Sequence, residues 1–487
     1  MADFTLPSNG DDRSSGADRP LELSRGEKEE MIRETKAHVL DHLDRLPDGP
    51  ASNVDGAHEK AEELREPLPE ETTPYDELLD TLFEDAIVHS ITNSHPGYMA
   101  YTAGGGLFHA ALADFIADAT NRYVGTWFAA PALVAIETNV VEWFCEMMGY
   151  PDGSFGLLTS GGSMANLIAT ITARRERLPG DFLDGVIYTS DQSHHSVTKA
   201  AVLAGFPSEN IRSIPTGDEF RIDVNALESA VEADRAAGKE PFLVVGNAGT
   251  TNTGAVDDLD TLADICDRES LWLHADGAYG GFFALTEKGK TQLAGLDRCD
   301  SVTVDPHKGL FLPYGTGALL MRDGGALARA HAVEADYIPD WDPDSGTVDF
   351  SQLGPELSRD FRGLRVWLPL KLHGVDPFRA ALAEKMELAE RATDCLRDLE
   401  PVEVVAEPQL STLAFRVEPP GVEGDALDEL NERVLEEVNA RGRVHLSGTT
   451  LDGRFAVRIC VLSFRVHREN VADCLEDIEA AVSEVTK

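Results

Sequence analysis

Residues 301–321 read SVTVDPHKGLFLPYGTGALLM, and the alternation in this stretch sets the fold class of the chain. A short apolar run from Ser301 meets a proline-containing turn, and Lys308 follows in apolar surroundings although lysine is scarce beside arginine here. A lone lysine is usually a surface residue, but burial favours the neutral amine that attacks carbonyl carbon. Working back along the chain, the same design recurs. LWLHAD at 271–276 is another apolar run, FLVVGNAG at 242–249 leads to a helix from Leu259, GVIYTS at 185–190 to a helix from Ser196, and GLLTS at 156–160 to a helix from Ser163. Short apolar strands alternating with amphipathic helices predict an α/β domain whose mostly parallel sheet is covered on both faces. Ligands of such sheets gather at the carboxyl ends of the strands.

Outside this core the pattern changes. Residues 1–20 are polar and Gly/Ser/Asp-rich, which predicts a mobile acidic N-terminus. Ser24 followed by apolar positions at helical spacing predicts a helix over 24–46, a Pro/Glu/Asp-rich connection fills 47–74, and a second helix is expected over 75–90. After residue 373, LSTLAFRVE, RVHLSGTTL and FAVRICVLSF read as strands, with helices over 426–440 and 468–485, so a small α+β domain closes the chain. The expected division is 1–20, an N-terminal helical segment 21–95, a large domain 96–372 and a small domain 373–487.

Composition excludes several classes. The 487 residues carry 86 acidic against 42 basic side chains, a formal charge of −44 that repels nucleic acid and anionic lipid. The acids are spread over every segment, as on the surface of a protein from a salt-rich, halophilic cytoplasm, where screening makes self-repulsion tolerable. No window approaches the length of a membrane span, no secretion signal is recognisable, and a cytoplasmic enzyme is expected. The six cysteines form no CxxC pair, so no metal site is expected.

The strand ends carry a set of groups that suits one kind of chemistry. TSGGSMAN at 159–166 places Gly161, Gly162 and Ser163 where backbone N–H groups and a helix N-terminus can meet a phosphate. DQSHHSVTKA at 191–200 puts His194 and His195 after a strand, where a histidine can stack on a flat ring, move a proton, or be solvated. In LWLHADGAYGG, Asp276 ends a strand and can keep a pyridine nitrogen protonated, or cap the next turn.

Taken together, TSGGSMAN, DQSHHS, AGTT, HADGAYGG, DPHKG, ADY and ELSRDFRGLRVW resemble, in order and spacing, the pyridoxal-phosphate-dependent group II amino-acid decarboxylases, among them the aromatic-amino-acid, glutamate and diaminobutyrate enzymes. HADGAYGG and DPHKG, about thirty residues apart, are the most specific part. The resemblance implies a fold-type I architecture with a mainly parallel seven-stranded sheet, pyridoxal phosphate as cofactor, and decarboxylation of an L-amino acid to its amine. It implies that Lys308 holds the cofactor as a Schiff base, Asp276 pairs with the ring nitrogen, His194 stacks on the ring, and Gly161, Gly162 and Ser163 receive the phosphate. Thr251 and Ala278 would lie close to the ring, His307 beside Lys308, and Tyr337 of ADY would return a proton to the substrate carbon. A homodimer with its active site at the subunit interface is implied, with the Trp127 and Trp143 region near the contact and a lid over 333–350.

Departures narrow these expectations. Asp305 stands where many relatives have Asn, and a carboxylate there would repel a phosphate unless shielded. Tyr98 and Thr126, the expected substrate-pocket residues, differ from those of aromatic-specific relatives, so diaminobutyrate or glutamate remain alternatives to an aromatic substrate. An aldehyde synthase or aminotransferase on the same fold is a further alternative, as is a non-enzymatic binding protein. His195 exceeds the common pattern. Arg359 or Arg362 would bind a substrate carboxylate or an acidic neighbour.

Overall fold

The structure is a computed structural model that describes residues 21–333 and 346–487. The expected mobile terminus 1–20, Tyr337 and most of the expected lid lie outside the described residues. The contacts divide the chain into Met1–Thr92 and Asn93–Lys487.

In the first unit, the helix Arg25–Arg45 opens on a capping box: the Ser24 hydroxyl accepts from the Glu27 N–H, and the Glu27 carboxylate accepts from the Ser24 N–H. The helix buries none of its residues fully. The connection over 47–74 contains a short helix, Ala57–Glu63, and the expected helix over 75–90 is shorter than its pattern. It runs Tyr75–Asp80 and continues as a π-helical turn, Thr81–Ala86.

The second unit contains two sheets. The large one is formed by β1 (Phe155–Thr159), β2 (Gly185–Ser190), β3 (Ile211–Ile214), β4 (Glu240–Asn247), β5 (Trp272–Gly277), β6 (Ser301–Val304) and β7 (Gly317–Met321), in the order β1-β7-β6-β5-β4-β2-β3. Only β7 runs antiparallel to its neighbours. Every residue of β2, β5 and β6 is buried, which explains why these strands read as continuous apolar runs instead of alternating ones. The helices Gly162–Arg177, His195–Leu203 and Leu259–Glu269 start within a residue of the positions expected from sequence.

The small sheet is antiparallel, with β8 (Val402–Ala406), β9 (Thr412–Val417), β10 (Ser447–Leu451) and β11 (Arg454–Cys460) in the order β10-β11-β9-β8. Helices Asp376–Arg397, Asp425–Ala440 and Arg468–Val485 share its core, in which Leu388, Phe415, Val434, Val457 and Ile478 are buried. No helix among the described residues is long and apolar enough to cross a membrane.

Candidate active site

The carboxyl ends of the parallel strands meet at a cavity of about 280 Å³. Its lining includes Gly161, Gly162, Ser163, Asn166, His194, Thr251, Asp276, Ala278, His307 and Lys308. All the expected cofactor residues are therefore gathered at one place. The cavity lies near the low end of small-molecule sites, about 300–1,000 Å³, which suits one flat ligand.

Lys308 sits on the helical turn Pro306–Gly309 that follows β6. Its Nζ is 3.2 Å from the buried Asp305 Oδ2, and His307 Nε2 is 3.7 Å from the same oxygen. The remaining oxygen, Asp305 Oδ1, is buried without a hydrogen-bond partner among the described residues. His307 Nδ1 donates to the Thr316 carbonyl at 2.6 Å, and burial lowers the pKa of this ring. The backbone here is tightly covered: a Cβ at Gly104 would stand 2.6 Å from the Lys308 carbonyl oxygen, so only glycine allows the 97–107 segment to pass.

Asp276 ends β5 with one donor on each oxygen. Oδ1 accepts from the Ala278 N–H at 3.1 Å and Oδ2 from Asn166 Nδ2 at 2.9 Å, leaving lone pairs for a further donor. His194 caps the helix His195–Leu203, its Nδ1 accepting from the Ser196 N–H. Burial lowers its pKa, so it is neutral near pH 7. His195 is exposed, its ring packed on that of His194 with 4.1 Å between centroids, and it does not line the cavity.

The expected substrate residues lie elsewhere. Tyr98 is buried and stacks on His445 at 5.9 Å, and Thr126 is buried with its hydroxyl unpartnered among the described residues; neither lines this cavity. The two arginines left open by the sequence have acidic neighbours. Arg359 reaches Glu137 at 2.5 Å, both side chains almost wholly buried, and Arg362 makes two bonds to Glu356 at 2.7 and 3.0 Å.

Sequence reading passed over Asn166 and Arg458. Asn166 falls on the buried face of the helix Gly162–Arg177, between Ala165 and Ile168, where an amide needs partners. Arg458 lies in β11 and is 2% exposed. Its guanidinium donates to the Thr251 carbonyl and to Ser447 Oγ and lies over the Tyr101 ring at 5.6 Å. Among the described residues no carboxylate pairs with it. An arginine inside the otherwise apolar FAVRICV was the available signal, because a buried cation needs a partner.

The donor set fits pyridoxal phosphate. N–H groups of the first turn of the helix Gly162–Arg177, which no side chain caps among the described residues, can take its phosphate, a carboxylate with spare lone pairs its ring nitrogen, an amine its aldehyde, and Gly249 and Ala278 leave room for the ring. Asp305 is the exception, since its unpartnered oxygen offers a phosphate no donor.

Comparison with known proteins agrees. Residues 58–418 match the family model of the pyridoxal-dependent decarboxylase conserved domain. The chain is 38% identical over 469 residues to an aromatic-L-amino-acid decarboxylase of Bacillus atrophaeus, covering 96% of this chain and 98% of that one. It is 30% identical over 451 residues to tryptophan decarboxylase 1 of Oryza sativa subsp. japonica, with 87% of each covered. The crystal structure of Oryza sativa TDC with PLP and tryptamine superposes with a TM-score of 0.91 at 26% identity, covering 96% of this chain and 99% of that one.

Proposed function

From the premise that the chain belongs to the pyridoxal-dependent decarboxylase family, and so is a pyridoxal-phosphate enzyme that releases carbon dioxide from an L-amino acid, we propose that its substrate is aromatic. The observation that carries the site is one cavity holding Lys308, Asp276 and His194 beside a helix N-terminus. The names of the relatives at 38% and 30% identity favour an aromatic side chain. Incubation with L-tryptophan, L-tyrosine, L-phenylalanine, L-glutamate and L-2,4-diaminobutyrate, with carbon dioxide and amine measured, tests this. Release from the acidic or diamino compound alone would overturn the aromatic assignment.

The bound cofactor supplies an electron sink for the pair released when the carboxylate bond breaks. Lys308, the amine lining the cavity, would hold the cofactor through its aldehyde. Asp276 would hold the ring nitrogen protonated, the neutral His194 would pack on the ring, and the N–H groups around Gly162 and Ser163 would take the phosphate. Arg458, a buried cation with no carboxylate partner among the described residues, reaches the cavity wall by donating to the Thr251 carbonyl. Tyr337 is assigned the final proton transfer by the resemblance alone.

Asp305 gives a first test of the phosphate assignment. Asp305→Asn replaces an unpartnered acceptor by an amide that can donate to a phosphate while still accepting from Lys308. Cofactor affinity is expected to rise about tenfold, or ~1.4 kcal/mol, in a fluorescence titration with pyridoxal phosphate. Weaker binding would mean that the pairing with Lys308 dominates.

We also propose a homodimer. The helix Phe108–Thr120 exposes Phe108, Leu112, Phe115 and Ile116, at 40%, 44%, 55% and 48%, along one side. Phe115→Asp with Ile116→Asp is expected to yield a monomer by light scattering, with activity lost if the partner completes the site. The six unpaired cysteines fit a reducing compartment, and the cytoplasm is assigned on that ground. The acid-rich surface suits a salt-rich solvent. Raising potassium chloride from 0.1 to 1 M, which shortens the screening length from about 10 to about 3 Å, should raise the melting temperature.

A further inference from the structure

From the cavity wall into the core runs a polar chain whose hydrogen-bond directions can be derived from two groups of fixed character. Asp276 Oδ2, as a carboxylate oxygen, only accepts, so the Asn166 amide presents Nδ2 to it at 2.9 Å. Asn166 Oδ1 then faces Thr303 Oγ1 at 2.7 Å and His274 Nε2 at 3.0 Å, and both must donate. His274 is fully enclosed and burial lowers its pKa, so it is neutral with its single proton on Nε2. Its bare Nδ1 accepts from the Ser301 hydroxyl at 2.8 Å, and Ser301 Oγ accepts from the donor-only Trp272 Nε1, also at 2.8 Å.

The second Asn166 Nδ2 hydrogen points the other way, to Ser196 Oγ at 2.9 Å. Ser196 Oγ lies 2.7 Å from His194 Nδ1, and the Ser196 backbone N–H also points at that nitrogen at 3.3 Å. A nitrogen that receives a backbone N–H cannot carry a proton of its own, so the Ser196 hydroxyl donates to it and the His194 proton resides on Nε2. One side chain therefore touches both the carboxylate assigned to the ring nitrogen and the serine that directs the ring-covering histidine.

We propose that Asn166 is a positioning residue that fixes the polarity of this chain, presenting an N–H to Asp276 Oδ2 and holding His194 as its Nε2–H tautomer. The inference rests on the assignment of Asp276 and His194 as cofactor contacts. Its chemical consequence concerns where one proton sits. A carboxylate that receives the Asn166 N–H is less basic, so the proton it shares with a pyridine nitrogen stays on the ring. Without that donor the carboxylate competes for the proton, and the ring loses positive charge.

The test uses cofactor-loaded full-length protein and two variants, Asn166→Leu, which keeps the branched heavy-atom skeleton without its polar atoms, and Thr303→Val, which removes one of the two donors on Asn166 Oδ1. The first readout is the pH at which the bound yellow chromophore fades, since less charge on the ring makes the lysine imine more basic. Asn166→Leu is expected to raise that pH by about one unit, and Thr303→Val by less, in the same direction. The second readout is long-range proton–nitrogen correlation NMR of nitrogen-15-histidine-labelled protein, with His194→Asn assigning the signal. Wild type should show Nε2–H, and Asn166→Leu a mixture of tautomers. An unchanged midpoint with an unchanged His194 tautomer in folded, yellow Asn166→Leu overturns the inference. If that variant does not fold, an unchanged Thr303→Val titration overturns it instead. A wild type that takes up no cofactor, or a Lys308→Ala protein that stays yellow, points to failure of the site assignment itself.

Discussion

Lys308→Ala protein is expected to be colourless with pyridoxal phosphate and to lose decarboxylation by at least ~10⁴-fold, about 5 kcal/mol of barrier. The loss should be chemical and not architectural. Lys308 holds the turn after β6 through its backbone, against Gly104, while its side chain pairs with Asp305 at 3.2 Å. Truncation leaves Asp305 buried without its cationic partner, so some loss of melting temperature is expected as well. Lys308→Arg separates the two effects, because a guanidinium keeps the charge facing Asp305 but does not form the covalent link at neutral pH. Far-ultraviolet circular dichroism and melting should be near wild type for Lys308→Arg, while the visible band and amine production are absent. A yellow, active Lys308→Arg enzyme would remove Lys308 from the chemistry.

The parts of the molecule that were readable in sequence share a physical cause. β1, β2, β4, β5 and β6 lie inside the sheet or carry covering helices, so their apolar runs contrast sharply with the turns that follow, and the cofactor-facing residues sit just beyond those runs. β3 gave no such contrast. It is a four-residue edge strand, IRSI, only one of whose residues is fully buried. β7 was absorbed into the glycine-rich run after Lys308, and nothing local marks its reversed direction, which is set by pairing with β1 and β6.

The same distinction holds at the site. Gly161, His194, Asp276 and Lys308 are each announced by the strand they follow. Arg458 reaches Thr251 across 207 positions of sequence, a relation that exists only once the small sheet has formed against the large domain. Asn166 was inside a motif that was read, but its four partners come from three separate segments: Ser196, His274 with Asp276, and Thr303. A spacing pattern cannot specify such a convergence. The open question of Arg359 and Arg362 was likewise decided by acids distant or hidden in sequence, Glu137 on the helix Pro131–Met147 and Glu356 before the helix Arg362–His373.

Asp276→Asn is expected to keep the yellow colour, because Lys308 is intact, yet lower kcat/KM on the order of 10³-fold, about 4 kcal/mol. Two physical effects add. An amide cannot hold a proton on the pyridine nitrogen by opposite charge, so the electron sink weakens at the step that needs it. The local bonding also suffers, since Asp276 accepts from both Ala278 N–H and Asn166 Nδ2, whereas an amide must turn its own NH₂ toward one of these two donors. The first effect dominates if the charge matters, and a cofactor analogue methylated on the ring nitrogen separates them. Its positive charge is permanent, so it should recover a substantial part of the rate in Asp276→Asn while doing nothing for Lys308→Ala. If the methylated cofactor binds Asp276→Asn and restores no activity, the defect lies in the lost hydrogen bonds, and the carboxylate at the end of β5 holds the site's shape without governing the charge of the ring.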